Sequence, residues 1–302
     1  MPNVSVAIDL PYILALPDGH YPTQAAGLAL RLDEVWDDAT GRPNTAVALS
    51  FVPEDGADVE LTRVHQAQRL LRLVNRLLRW YRVAANQPTI IELTRAQASP
   101  FRFIVDGASA SWGGEDPLEF EPALPRPPRA GRRAEIVDIV RMGLVGGADP
   151  DVATLNLLDA EYALSVGRFR EAVLLCWSVI DSTFVRKFSE LVDDRLKDEW
   201  SEGRKFVKGH DFGLRQKMTA GLYLLTGRSL YAEPAGFWNK LSANYDLRNK
   251  IIHEGSIAEE DQAIQAIEVA RTLVQILATL DTTTANNHTA PPPASNDSTP
   301  SE

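Results

Sequence analysis

The chain has 302 residues, of which 44% are hydrophobic and 24% charged, a balance typical of soluble globular proteins and enough for two domains. Its net charge of −10 argues against a protein that coats nucleic acid non-specifically, because such binding depends on neutralising phosphates. No apolar run approaches the roughly 20 residues that a membrane helix needs, and the single cysteine, Cys176, excludes an intramolecular disulfide.

The N-terminal stretch gives no indication of export. The segment MPNVSVAIDLPYILALPDG lacks a basic start and carries Asp9 and Pro11 within its apolar part, which is unlike a signal peptide. A thiolate zinc site is not expected with one cysteine, and no other metal or cofactor site is expected. The sequence therefore predicts a cytoplasmic protein without membrane contact.

The first 125 residues alternate short apolar segments with turn signals and predict an α+β domain. Four segments are predicted as strands: SVAIDL, TAVALSFV, TIIEL and FRFIVDG. Residues 62–82 form the clearest helix of this half, and we expect its apolar face to pack on the sheet. The isolated His20 and His65 are interpreted as ordinary surface or turn residues.

Arginines form a stripe on another face of this helix. Wound at about 100° per residue, the helix places four of them within an arc of about 80°: Arg69, Arg72, Arg76 and Arg79. Such a stripe can bind phosphates or another anionic ligand. We favour a solvated helix face, offset by acids of the same domain: Asp33, Glu34, Asp37, Asp38, Asp55, Asp58 and Glu60.

Composition marks the borders between domains. Residues 119–133 are rich in Pro, Arg and Gly and predict a linker or an extended arm, and a short helix ending at Gly146-Gly147 follows, so that 126–148 separates two domains. Every lysine lies at Lys187 or later, which also indicates two domains. Residues 282–302 have almost no apolar content and predict a disordered tail, in which His288 receives no role.

Residues 149–281 predict an all-α antiparallel helical bundle. Its first helix starts with Asp149 as N-cap and Pro150 in the first turn, and stops at Gly167. Further helices are predicted at 169–192, 213–227, 235–253 and 257–280. The charged segment 193–212 is interpreted as a mobile loop or a short extra helix.

The helix at 235–253 carries a polar cluster in YDLRNKIIHEGS, residues 245–256. With Phe237 set at the origin, Arg248 falls at about 20°, in the middle of the apolar arc. A buried guanidinium without a partner costs several kcal/mol, so a residue or a ligand must pair with it. Asp181 lies at the edge of the apolar stripe of 169–192, and we expect it to face Arg248.

Asn249 and His253 lie on the flank beside Arg248, and Gly255 is the expected C-cap. The helix dipole favours a protonated imidazole at this end. An arginine, an amide and a histidine together can hold a phosphate and move protons near neutral pH. A buried arginine–aspartate pair with a histidine at the helix end also occurs in proteins without catalytic activity, and this alternative stays open.

The same residues resemble a known family. Arg248, Asn249 and His253 match the R-N-x-x-x-H form of the R-x(4–6)-H motif of HEPN domains. The segment LSVGRFREAVLLCWSVIDSTFVRKF resembles the first helix pair of that superfamily, and LRNKIIHEG is similar to its Apea-like branch. The resemblance covers about 151–281 and none of the first 130 residues.

The resemblance implies a bundle that forms a homodimer in which two motifs share one cleft, and a metal-independent endoribonuclease. In that family the ribose 2′-OH attacks the adjacent phosphodiester and leaves a 2′,3′-cyclic phosphate and a 5′-OH. It implies His253 as acid or base, Arg248 as the group that stabilises the phosphorane, Asn249 as the group that holds the histidine or the phosphate, and Asp181 as a supporting polar residue. HEPN proteins recur in bacterial defence and toxin systems, where a second domain senses or restrains the nuclease.

The sequence and the resemblance together are compatible with three functions. The leading one is a dimeric ribonuclease acting on RNA. The second is a non-catalytic HEPN module for dimerisation or for ligand or RNA binding, with the N-terminal domain as sensor. In the third, residues 1–130 carry the activity and the bundle only assembles them.

Overall fold

The structure is a computed structural model. It describes residues 4–25, 28–37, 42–52, 59–98, 101–105, 108–112, 133–196, 201–209, 213–233 and 236–280. The predicted linker, apart from residue 133, and the predicted tail lie outside the described residues. The chain divides into two compact units, 1–166 and 167–302.

In its described residues the first unit contains a six-stranded antiparallel sheet and three helices, so the predicted α+β architecture is confirmed. The sheet order is β2-β3-β4-β1-β5-β6. The strands are β1 (Val4–Leu10), β2 (Gly19–Pro22), β3 (Ala29–Asp37), β4 (Arg42–Phe51), β5 (Phe101–Val105) and β6 (Ala108–Trp112). The helices are α1 (Val59–Ala85), α2 (Arg133–Gly146) and α3 (Val152–Ser165).

Helix α1 packs its apolar face on the sheet. Leu70, Val74 and Leu77 are buried in one core with Val6 and Ile8 of the central strand β1. The residues of β1 are largely buried because β1 is paired on both sides and covered by the helix. The core of this unit therefore lies between α1 and the middle of the sheet.

The predicted strand TIIEL, residues 89–93, is wrong: these residues have no strand structure. Side chains provide the hydrogen bonds that a neighbouring strand would supply. Asn75 of α1 donates to the Leu93 carbonyl at 2.9 Å and accepts from the Leu93 amide at 2.8 Å. The Tyr12 hydroxyl accepts from the Ile91 amide at 3.3 Å. The backbone polar groups are thus satisfied without a strand partner.

Helix α3 starts later than predicted. Its N-cap is Asp151, whose carboxylate accepts from the Thr154 amide at 3.1 Å, and not Asp149. The helix belongs to the first unit, where Asp159 pairs with Arg82 of α1. The sequence places it instead at the start of the bundle.

The second unit is mostly helical, as predicted. Its elements are α4 (Phe169–Arg195), α5 (Ser201–Lys208), α6 (Leu214–Gln216), a π-helix (Lys217–Gly221), α7 (Leu222–Thr226), a 3-10 turn (Leu230–Ala232), α8 (Phe237–Glu254) and α9 (Glu260–Ala278). Helix α4 lies at the centre and contacts α5, α7, α8 and α9. The predicted apolar stripe of α4 is buried throughout: Val173, Trp177, Ile180, Phe184, Phe188 and Leu191.

Gly143 of α2 permits a close approach of the Trp80 indole of α1. A Cβ at this position would lie 2.3 Å from indole carbons, and the indole Nε1 donates to the Ala148 carbonyl at 3.0 Å. Replacing Gly143 by Ala is expected to lower the free energy of unfolding by about 1–2 kcal/mol, because overpacking exceeds the gain in helix propensity. Denaturant-induced unfolding measures the change.

Gly146 provides the matched control in the same helix, since a Cβ there meets nothing within 4 Å. Gly146→Ala is expected to leave stability unchanged or slightly higher. If Gly143→Ala stabilised the protein as much as Gly146→Ala, the close helix approach would be contradicted.

Candidate functional site

The predicted polar cluster lies on the last two turns of α8. The helix ends at Glu254, and Gly255 follows with a φ of 70°, in the left-handed region that glycine adopts without strain. The Ser256 amide then donates to the Lys250 carbonyl at 3.3 Å, which closes the helix end. The predicted C-cap is confirmed, and it places His253 in the last turn of the helix.

Arg248 and Asn249 contact each other. Arg248 Nη1 donates to Asn249 Oδ1 at 2.8 Å, and both side chains are half-buried. His253, one turn further on, is exposed. No carboxylate of a described residue lies within ion-pair distance of Arg248. The guanidinium is therefore oriented by an amide and is not paired with a carboxylate of a described residue.

Helices α4 and α8 pack in antiparallel directions. The ring of Trp177 in α4 meets that of Tyr245 in α8 edge to face, with centroids 5.2 Å apart. Nearer the start of α4, Arg170 Nη2 donates to the Ile251 carbonyl at 3.2 Å. The first turn of α4 thus lies beside the last turns of α8, and we call these two segments, 169–172 and 248–254, the α4–α8 end.

The expected ion pair between Asp181 and Arg248 is not formed. From the Trp177–Tyr245 contact, Arg248 lies three residues towards one end of the helix pair. Asp181 lies four residues towards the other end, so the two are about 10 Å apart along the helix axes. Asp181 is exposed, and its charge acts on Lys217. Burial lowers the pKa of Lys217, and Asp181 raises it in partial compensation.

Arg170 is a site residue that the sequence analysis missed. Its side chain is exposed, and within the described parts of the chain no carboxylate lies at ion-pair distance from it. It therefore brings a second guanidinium without a carboxylate to the α4–α8 end. An antiparallel pairing of 169–192 with 235–253 would have predicted that Arg170 lies near Arg248, because that pairing places the start of the first helix beside the end of the second.

A cleft of about 600 Å³ lies at the start of α4. Its walls are formed by residues 167–171 and Leu174, and by Ile257 and Ala258 between α8 and α9. Arg168 forms an ion pair with Glu171 across 3.0 Å in this wall. The cleft is thus contiguous with Arg170 and combines apolar walls with charged groups.

The arginine stripe of α1 is partly neutralised within its own unit. Arg79 pairs with Glu92 and with Asp149, each at 2.9 Å, and Arg76 lies 3.5 Å from Asp149. These two acids are not among those expected to offset the stripe. Arg69 and Arg72 pair with no described carboxylate. The stripe is therefore a continuous cationic surface only over its first half.

Among the described residues, the most deeply buried arginine is Arg82, which the sequence analysis did not single out. It is 6% exposed, pairs with Asp159 at 2.5 Å, and donates to the Pro88 carbonyl at 3.0 Å. Burial raises the pKa of the nearby Tyr12 to about 12, and the charge of Arg82 lowers it in part. Because its partners lie within the unit, we interpret Arg82 as a residue that stabilises the fold.

The described residues contain no group of three or more His, Cys, Asp or Glu side chains arranged to hold a metal ion. None of the helices in the described ranges is long and apolar enough to cross a membrane. Comparison with models of protein families, with curated proteins and with solved structures finds no match to the chain.

Proposed function

We propose that the C-terminal unit is a metal-independent endoribonuclease of the HEPN type, with Arg248, Asn249 and His253 as its catalytic residues. The observation that carries this proposal is the Arg248–Asn249 hydrogen bond one turn before an exposed histidine. An arginine held by an amide keeps its charge and forked donors for a phosphate. The imidazole is exposed, where an RNA strand can reach it, and histidine is the side chain that most often transfers protons in catalysis.

In the proposed reaction the ribose 2′-oxygen attacks the adjacent phosphorus, and the bond from phosphorus to the 5′-oxygen breaks. A base takes the 2′-OH proton and an acid donates a proton to the leaving 5′-oxygen. Arg248 stabilises the additional negative charge of the phosphorane, and His253 transfers a proton. The products are a 2′,3′-cyclic phosphate and a 5′-OH.

This reaction uses a base and an acid, whereas the α4–α8 end of one chain contributes one imidazole. A homodimer that joins two such ends would bring two imidazoles to one RNA strand. Ile252 beside His253 is 46% exposed, apolar surface that a second copy can cover. In this scheme the first unit acts as sensor or regulator, in a bacterial defence or toxin setting.

The same observation favours a second candidate function. With one imidazole at the α4–α8 end of each chain, a protein that stays monomeric has the groups to bind a phosphate there but lacks an acid and base pair. A monomer would therefore act as a non-catalytic RNA-binding or ligand-binding module with the first unit as sensor.

The wild-type protein is expected to cleave single-stranded RNA in the presence of EDTA. Mass spectrometry of the fragments should show 2′,3′-cyclic phosphate and 5′-OH ends, and light scattering should show a dimer. A requirement for added metal, or fragments with 3′-OH ends, would overturn the assignment. Binding of RNA by a monomer without cleavage would establish the second candidate in its place.

A further inference from the structure

We propose that the cleft at the start of α4 binds the nucleotide next to the scissile phosphate of a single-stranded RNA, with Arg170 on its phosphate. This inference rests on the proposed function, which places the scissile phosphate at Arg248 and His253. It adds a substrate-binding residue and a binding cleft that the R-N-x-x-x-H motif does not contain.

The charge of Arg170 supports an anionic ligand. The guanidinium has five N–H donors, and the Ile251 carbonyl is its one hydrogen-bond acceptor among the described residues. No described carboxylate pairs with it, although the protein carries ten more acidic than basic side chains. An exposed arginine anchored at one nitrogen presents its other donors in a fixed direction, which suits a phosphate.

The position of Arg170 links the cleft to the proposed catalytic residues. Its acceptor, the Ile251 carbonyl, lies three residues after Arg248 and two residues before His253. Along the axis of α8, Arg248 therefore lies about 4.5 Å before this carbonyl and His253 about 3 Å after it, so the three positions span about 7.5 Å. A strand whose scissile phosphate contacts Arg248 consequently places a neighbouring nucleotide at Arg170.

The walls of the cleft suit a nucleobase. Its volume of about 600 Å³ falls within the range of small-molecule sites. Phe169 supplies an aromatic ring, and Leu174, Ile257 and Ala258 supply apolar surface. Unpaired RNA bases stack on such surfaces, whereas bases in a duplex are inaccessible. The Arg168–Glu171 ion pair offers donors and acceptors to the base edge.

Binding can be separated from cleavage with a fluorescent 2′-O-methyl RNA octamer, because the methyl group removes the attacking hydroxyl. Arg170→Gln is expected to raise its Kd, measured by fluorescence anisotropy, about 10–100-fold through loss of a charged hydrogen bond. Lys240→Gln, which removes an exposed charge from the start of α8, is expected to change Kd less than about twofold. Equal Kd values for the wild type and Arg170→Gln would overturn the inference.

A second variant pair tests the cleft without altering any arginine. Ile257 lines the cleft, and Ile264 is an exposed isoleucine of α9 that does not. Ile257→Glu is expected to raise Kd about tenfold by repelling phosphate, and Ile264→Glu to change it less than about twofold. Both side chains are exposed, so both variants should keep the melting temperature of the wild type. Equal effects of the two changes would also overturn the inference.

The outcomes for the cleft and for the nuclease are distinguishable. If unmodified RNA is cleaved but neither Arg170→Gln nor Ile257→Glu weakens binding, the cleft assignment fails alone. If both variants weaken binding but the wild type does not cleave RNA, the nuclease assignment fails and the nucleotide site stands.

Discussion

Replacing His253 by Ala is expected to lower the rate of RNA cleavage about 10²–10⁴-fold, the usual contribution of a general acid or base. The side chain is exposed and makes no hydrogen bond to a described residue, so the melting temperature should match that of the wild type. Single-turnover cleavage in EDTA is the measurement, because it reports the chemical step without product release. The proton transfers of the proposed reaction require an effect of this size.

Two control variants test whether the effect is specific to His253. His65→Ala removes an exposed histidine from α1, in the other unit, and Lys250→Ala removes an exposed charge from the same turns of α8. Both are expected to keep the wild-type cleavage rate within about threefold. Cleavage at the wild-type rate by His253→Ala would remove the histidine from the mechanism. An equal loss in Lys250→Ala would assign the effect to the helix end as a whole.

Arg248→Lys complements the histidine variant, since it retains the charge and loses the planar fork. A strong loss of cleavage with little change in the octamer Kd would show that the fork acts on the phosphorane. The Arg248–Asn249 hydrogen bond gives the fork a fixed orientation, which lysine does not reproduce.

The elements that local periodicity determines were predictable from the sequence. The α4 stripe from Val173 to Leu191 is buried as predicted, because steps of three and four residues follow from helix geometry alone. TIIEL has the composition of a strand, yet its backbone is satisfied by Tyr12 and Asn75, which are distant in sequence. Side-chain hydrogen bonds of this kind leave no local signal. Strand β3 is the opposite case. Its sequence alternates Leu30 and Leu32, which are buried, with polar residues, and this local pattern is typical of a strand although none was predicted there.

In the candidate site, too, the features within one helix were predictable, whereas those that depend on two helices were not. Arg248, Asn249, His253 and the Gly255 cap share one helix end, and one helix suffices to place them. The Asp181 pairing depended on the register between two helices, which the contact of Trp177 with Tyr245 sets. The angular position of a residue on its own helix contains no information about that register, and this is also why Arg170 was missed.

Arg82 shows why a buried charged residue is difficult to predict from the sequence. The angular position on α8 predicted a buried Arg248, which is half-buried, while the arginine with the lowest exposure among the described residues lies near the end of α1. Its partner Asp159 is 77 residues away, on a helix that the sequence assigned to the other domain. Pairing across such a separation depends on how α1 and α3 pack, and neither helix reveals it alone.

Replacing Asp159 by Ala is expected to lower the free energy of unfolding by about 2–3 kcal/mol. The variant leaves the Arg82 guanidinium, whose side chain is 7% exposed, with the Pro88 carbonyl as its one remaining acceptor among the described residues. Removing one partner of a fully buried pair costs more than this, but the Asp159 side chain is 43% exposed and water screens part of the interaction. Denaturant-induced unfolding measures the change.

Asp33→Ala is the matched control, since it breaks the surface ion pair with Arg31 on β3 and is expected to cost less than about 1 kcal/mol. The double variant Arg82→Met with Asp159→Leu should recover most of the stability lost in Asp159→Ala, because it removes the buried charge together with its partner. An equal cost for Asp159→Ala and Asp33→Ala would show that solvent already compensates the guanidinium. Failure of the double variant to recover stability would assign the loss to packing between α1 and α3, and not to an unpaired charge.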